Sequence, residues 1–357
     1  MESPKKPDPP PAAVQMVPFQ HRQSAHCESG VASALATHHG RSLSEPMAFG
    51  IGSGIFFAHL PFVKVMGLPL TTFRSFPGTI LTKVFRRTGI RLTKQKFRNE
   101  DRAVETLDAL IARGIPAGVQ LSVFWLPYLP PQFRFQFNAH HAVVCGKKDG
   151  DYLISDPIGE AMVTCPVADF RRAWFAKGPL APHGALYSAE QDKPLPGADL
   201  AKAVTAALKE SCNRMLRVPF SFFGATGISV LAKRITAWPE KLHDDRKIKL
   251  NLGQIVRMAE EIGTGGAGFR FLYAAFLQEA SRLPQFSFLA AASDLMTESG
   301  DHWRAFAITN AKTCKAGDFS VARMKELSAI LENCALLEEK AFRQIDRDVR
   351  RGKVVWN

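Results

Sequence analysis

Apolar positions follow two rhythms along the chain. Over 101–113 they recur at helical spacing, with Val104, Leu107, Leu110 and Ile111 on one face. Residues 115–125, 141–146 and 151–155 are short apolar runs that predict strands. Lys147–Gly150 joins the last two runs, and its Asp149-Gly150 pair predicts a hairpin turn. The small residues from Glu28 to His39 predict a buried helix, which Gly40 stops. Beyond residue 199 the rhythm is helical, over 199–216, 247–262, 269–282, 301–313 and 319–347. Residues 49–70 are long and apolar enough to suggest a membrane span. However, His59, Pro61, Lys64 and Pro69 interrupt them, so buried core segments are expected instead.

The polar stretches divide these regions. Residues 1–14 hold five prolines and few apolar groups, and predict a flexible tail. Residues 186–198, with Ser188 to Ala198 reading SAEQDKPLPGA, predict a linker. The expected organisation is a tail over 1–14, a mixed α and β domain over 15–185, the linker, and a helical domain over 199–357. The expected fold class is α+β followed by all-α.

Composition narrows the classes. The chain has 357 residues, 46% of them apolar and 22% charged, which excludes a disordered or collagen-like chain. The net charge of +13 is shared by the two halves and favours a partner with negative charge. Six cysteines show no CxxC spacing and no zinc pattern, so no metal is expected. The proline-rich N-terminus does not read as a secretory signal, and a reducing cytoplasm with free thiols is expected.

Three places carry candidate chemistry. Cys27 directly precedes the predicted helix, where unpaired N–H groups and the helix dipole favour thiolate. An unperturbed thiol is only about 3% thiolate at pH 7, so this help matters. His140-His141 opens the run Ala142-Val143-Val144-Cys145-Gly146. Strand side chains alternate, so only one of the two can face a given cleft. His141, as the start of the apolar strand, is the expected general base, and His140 the expected loop or surface residue. Asp156 lies fifteen residues beyond His141, where a hairpin returns it beside the imidazole to fix the tautomer. The set reads Cys27, His141, Asp156.

A Cys before an N-terminal helix, His-Ala-Val on a strand and then Asp-Pro resembles the papain-like cysteine fold, in its bacteriocin-processing peptidase branch. More closely, the chain resembles the butirosin-biosynthesis H family. The stretches that carry this are His26-Cys27-Glu28-Ser29, Ser44 to Gly54, Leu126-Pro127-Tyr128, His140 to Val144 and Ile262 to Arg270, with Tyr273-Ala274 and Phe276-Leu277. The resemblance implies a papain-like domain followed by a helical domain. It also implies an acyltransferase that moves an acyl group from a carrier-protein thioester, through a Cys27 thioester, to a small amine or hydroxyl acceptor. The implied cofactor is the carrier's phosphopantetheine, with none bound to the chain itself. A cysteine peptidase or amidase with the same triad, or a papain-like binding module without turnover, are the rivals. The helical half favours transfer, since covering a cleft excludes water. The family's oxyanion Gln, six residues before the Cys, is His21 here. Gln20 and Gln23 are therefore the side-chain candidates beside the Cys27 N–H.

Residues 83–98 carry Lys83, Arg86, Arg87, Arg91, Lys94, Lys96 and Arg98 and no acid. No nucleic-acid fold accompanies them. Docking of an acidic acyl carrier protein, or of its phosphate, fits the resemblance, with a solvated charged face as the plain alternative. Gly50 to Gly54 lacks the context of a phosphate loop, and close packing is expected. Gly263–Gly268, before the helix at 269–282, could receive an anion with Arg270, or be an interhelical turn. Asp301-His302-Trp303 reads as an N-cap and first turn, with Trp303 in the core.

Overall fold

The structure is a computed structural model that describes residues 15–65, 67–190 and 199–351. The expected tail over 1–14 and most of the expected linker, 191–198, lie outside the described residues. The strands are β1 (Gln15–Met16), β2 (Ile55–Val65), β3 (Leu68–Arg74), β4 (Thr93–Gln95), β5 (Ala117–Leu121), β6 (His140–Lys148), β7 (Asp151–Ser155), β8 (Val163–Cys165) and β9 (Leu186–Ser188). The helices of the first half are α1 (Cys27–His38), α2 (Glu45–Ile51), α3 (Thr79–Thr88), α4 (Glu100–Ala112) and α5 (Val167–Trp174). Those of the second half are α6 (Leu200–Leu216), α7 (Gly224–Thr236), α8 (Trp238–Leu242), α9 (Asp245–Val256), α10 (Arg270–Ala280), α11 (Leu289–Ala316) and α12 (Val321–Arg350).

These elements form two compact units that interleave in sequence. One holds the described residues up to Gln23 together with Leu92–Glu190, and the other holds Ser24–Arg91 with the described residues from 199 onward. The sequence predicts a single linker, over 186–198. Part of that expectation needs correction: Leu186–Ser188 is strand β9, buried and paired with β4 and β5. Leu186 and Tyr187 are apolar, and only the residues after them have the composition of a linker.

The first unit is an antiparallel sheet in the order β4-β9-β5-β6-β7-β8, with β1 on β6. Strand β6 is buried along its first seven residues, with β5 and β7 paired on its two edges. Gly146 allows β1 to approach: a Cβ there would lie 2.2 Å from the Gln15 carbonyl oxygen. The β6–β7 hairpin turns at Asp149 and Gly150, both with positive φ, as their sequence predicts. Helix α4 is capped by Asn99, whose side chain accepts from the Arg102 N–H at 2.9 Å, and it packs Leu107, Leu110 and Ile111 into the core.

The second unit is helical around the β2–β3 hairpin. Helix α1 is small-residue and buried over its first ten positions, as its composition predicts. The stretch expected to be core rather than a span is helix α2 followed by β2, whose first half is buried and whose last four residues are exposed. Among the described residues no helix is long and apolar enough to cross a membrane. Gly50 is a close-packing glycine, since a Cβ there would enter the Phe276 ring. Asp301 is not a cap. It lies within the 28-residue helix α11, and Trp303 is fully buried. Helices α7 and α8 were not expected, because two glycines and a proline hide their pattern.

Candidate active site

Strands β6 and β7 place a histidine beside a carboxylate. Continuing the register Val143↔Ser155 by one residue sets Asp156 beside Ala142, on the face that His140 also occupies. His140 Nε2 lies 2.7 Å from Asp156 Oδ2, and both side chains are almost wholly buried. Tyr128 donates its hydroxyl to the same oxygen at 2.9 Å, and the Ile158 N–H donates to Oδ1 at 3.2 Å. Burial alone would raise the Asp156 pKa. The facing imidazole and these donors outweigh it and hold the carboxyl below its ordinary value. Burial, and then the Asp156 charge, push the Tyr128 hydroxyl well above its ordinary range, so it stays a donor. A carboxylate acceptor requires the neutral ring's proton on Nε2. The basic lone pair of His140 is then on Nδ1.

This corrects the expected base. The imidazole that meets Asp156 is that of His140, and His140 is a buried first strand residue rather than a loop or surface one. His141 stands on the opposite face, opposite Gln120, with its ring 6.0 Å from Tyr187. It is fully buried, and neither ring nitrogen has a hydrogen-bond partner among the described residues. The strand starts one residue earlier than the apolar run, and a shift of one residue exchanges the faces. Tyr128 was visible only as part of Leu126-Pro127-Tyr128, with nothing local to mark it as a donor to Asp156.

In the other unit, Cys27 is the first residue of α1 and is 8% exposed. The N–H groups of a first helical turn and the helix dipole favour negative charge there. The loop before it is held from several sides. Glu45 accepts from the Ala25 N–H at 2.9 Å, the His26 N–H at 2.8 Å and the Ser29 hydroxyl at 3.0 Å. Arg74 donates to His26 Nε2 and to Glu28, and Glu28 also accepts from the Leu81 N–H at 3.1 Å. Phe269 sets its edge against the His26 ring at 5.0 Å and stacks on Phe49.

The other five cysteines lack such a setting. Burial pushes Cys145, Cys165 and Cys212 up to about 12, and raises Cys314 and Cys334 as well. Thiols raised in this way are poor nucleophiles.

The remaining candidates divide. Gln20 and Gln23 are exposed, and the Gln20 carbonyl accepts from Arg22 at 3.0 Å. His21 is tied to Ser155 at 2.8 Å and to the Gly159 carbonyl at 3.1 Å. In the basic run, Lys83 and Arg87 are not open for docking, which corrects that expectation. Both bind Glu210 at 2.6 Å, joining α3 to α6. Burial would raise Glu210, but Lys83, Arg214 and Arg87 outweigh it and bring its carboxyl down to about 2. Arg86, Arg91, Lys94, Lys96 and Arg98 are exposed, with Lys94 5.3 Å from the Tyr187 ring centre. Arg270 does not serve an anion site at the glycine loop, because it forms a fully buried pair with Glu338 at 2.8 Å. No group of three or more His, Cys, Asp or Glu among the described residues is placed to hold a metal.

Residues 26–157 match the family model "Butirosin biosynthesis protein H, N-terminal". Residues 168–345 match a domain of unknown function, DUF4872. No curated protein matches the chain. Among solved structures, a chain described as a C39-like peptidase from Bacillus anthracis is similar. It has 14% identity and a TM-score of 0.35, over 50% of this chain and 98% of that one. With the first model ending just beyond Asp156 and the second covering nearly all of the remaining length, the chain belongs to the butirosin-biosynthesis H type of protein.

Proposed function

We propose that the protein is a cysteine-dependent acyltransferase of natural-product biosynthesis, with Cys27 as nucleophile, His140 as general base and Asp156 as the group that orients it. The buried His140–Asp156 pair, with Nε2 2.7 Å from Oδ2, is the observation that carries this reading. Family membership and the position of Cys27 at a helix N-terminus support it.

His140 takes the Cys27 proton at Nδ1, and the thiolate sulfur attacks the carbonyl carbon of a carrier-protein thioester. The tetrahedral intermediate expels the phosphopantetheine sulfur, which receives that proton as a thiol. An amine or hydroxyl of a small acceptor then attacks the Cys27 acyl thioester. His140 accepts the acceptor's proton, the new amide or ester forms, and the sulfur leaves as thiolate. Asp156 and Tyr128 hold the imidazolium without taking its proton. The Cys27 N–H is one oxyanion donor in this scheme, with the Gln20 or Gln23 amide as the side-chain donor. The exposed cations Arg86, Arg91, Lys94 and Arg98 would steer an acidic carrier.

Incubation with an acyl-loaded carrier protein tests the proposal. The expected result is an intact-mass increase of one acyl group located on Cys27, discharged by the acceptor amine. Undiminished turnover by Cys27→Ala protein would overturn it. Dominant release of free acid, or cleavage of peptides in place of transfer, would assign the same residues to a hydrolase.

A further inference from the structure

We propose that Glu45 is a positioning residue for the nucleophile: its carboxylate holds the peptide groups at Ala25 and His26, fixes where the Cys27 thiol and N–H point, and sets a like charge beside the thiolate. The inference rests on Cys27 being the nucleophile.

One carboxylate gathers three donors from the turn that leads into α1. Oε2 accepts from the Ala25 N–H, and Oε1 from the His26 N–H and the Ser29 hydroxyl. Two consecutive peptide planes before Cys27 are thereby fixed, and Ser29 is fixed on the turn after it. The ring of His26 completes the frame as the cap of α1, where Nδ1 accepts from the Ser29 N–H at 3.3 Å. Ser29 Oγ lies 2.9 Å from the same nitrogen, and Arg74 lies against Nε2. The Ser29 hydroxyl donates to Glu45. Arg74, His26, Ser29 and Glu45 thus form one connected set on the residues either side of Cys27.

The frame is backed by packing. Phe269 closes one side of His26. Gly265 lies so close that a Cβ would sit 3.2 Å from the Ala25 Cβ. Glu45 itself opens α2, whose cap, Ser44, accepts from the Met47 N–H at 3.1 Å and donates to Glu279 of α10. The acceptor is therefore anchored independently of the turn it holds.

Charged and titratable groups around this turn within its unit include Glu45 and Glu279, Glu28 of α1, Arg74 at the end of β3, Cys27 and His26, and the Glu260–Arg304 pair beside the glycine loop that packs against Ala25. Arg74 is engaged by Glu28 and His26, which leaves Glu45 answered by neutral donors alone. Burial raises the Glu45 pKa, its three donors lower it, and the Cys27 charge adds to the rise. By reciprocity the Glu45 charge makes Cys27 harder to ionise.

The test is the pH profile of Cys27 alkylation by iodoacetamide, read by peptide mass, together with steady-state transfer. In Glu45→Gln the midpoint of alkylation should fall by about one pH unit, because a like charge is gone. Transfer kcat should fall about tenfold with KM unchanged. In Glu45→Ala kcat should fall about a hundredfold, since both acceptors are lost. A folded Glu45→Gln protein with an unshifted midpoint, or with undiminished kcat, overturns the proposal. If Glu45→Gln does not fold, Glu45→Asp decides. It keeps the charge but withdraws the acceptors, so the midpoint should stay and kcat should fall, and any other result overturns the proposal. The alkylation profile reads Glu45 even if Cys27→Ala retains activity, which separates failure of this inference from failure of the nucleophile assignment.

Discussion

Two buried carboxylates, Asp156 in the sheet unit and Glu338 in the helical unit, keep similar company. Each accepts from a basic side chain and from an aromatic one: His140 and Tyr128 in the first case, Arg270 and Trp303 in the second. The basic partner separates them. Arg270 offers both Nε and Nη2 to Glu338, gives Nη1 to the Gly268 and Phe56 carbonyls, and lies between the Phe73 and Trp303 rings. Its guanidinium cannot lose a proton, so this arrangement can only hold structure. His140 gives Nε2 to Asp156, and an imidazole is a group that can both give and take a proton. A buried ion pair therefore does not by itself mark a site. The mark is a partner whose chemistry includes proton transfer, as imidazole's does and guanidinium's does not.

The largest effect that would break this contrast comes from the two adjacent histidines. His140→Ala should lower transfer by about a thousandfold or more, and His141→Ala by less than about tenfold, in steady-state assays of folded protein. Equal losses, or the reverse order, would return the base to His141. Asp156→Asn should follow, with a loss of about a hundredfold or more in kcat, because an amide no longer fixes the Nε2 proton. Tyr128→Phe keeps the carboxylate and His140 and should cost only about tenfold.

The structural pair should respond in the other observable. Glu338→Gln leaves Arg270 as a buried cation without its counter-charge and should destabilise the fold by about 3–5 kcal/mol. It should leave the pH profile of kcat in place, and denaturant melts beside that profile would check both points. A shifted profile would mean that the pair is coupled to chemistry.

Acid stability gives a smaller effect. Glu210 has a folded pKa of about 2, below the ordinary carboxylate value of about 4.3. Its stabilisation is complete above that ordinary value and is lost as pH falls from about 4 towards 2. Asp156 is depressed as well and acts in the same direction. Lys83→Gln should weaken the Glu210 part by about 1 kcal/mol or less, since the cluster keeps some exposure to solvent and Arg87 and Arg214 remain. It should leave carrier affinity unchanged, whereas charge reversal at exposed Arg86 or Arg91 should weaken it in a salt-dependent way.

Much of this was legible in the chain. The buried small-residue helix behind Cys27, the Asp149-Gly150 hairpin and the return of Asp156 beside a histidine all follow from local pattern and strand geometry. Local signals of this kind are read within a few residues, where backbone preference and side-chain periodicity act directly.

What failed was long-range or depended on a single residue of register. The apolar run suggested that β6 begins at His141. Its start at His140 is set by pairing with β5, where Leu121 meets His140, and that one step exchanged the two imidazoles. Lys83 and Arg87 read as a basic surface until Glu210, more than a hundred residues away, neutralised them. The sequence leaves the glycine loop before Arg270 as an anion site or an interhelical turn, and Glu338 of α12, which pairs with Arg270, settles the arginine's place. Sequence by itself determined the residue types, the local elements and the expectation that Asp156 returns beside a histidine. Tertiary structure decided which histidine meets Asp156, which cations are paired and which glutamate accepts from the turn before Cys27. Charge and hydrogen-bond partners are settled by neighbours in space, and the chain order does not name those neighbours.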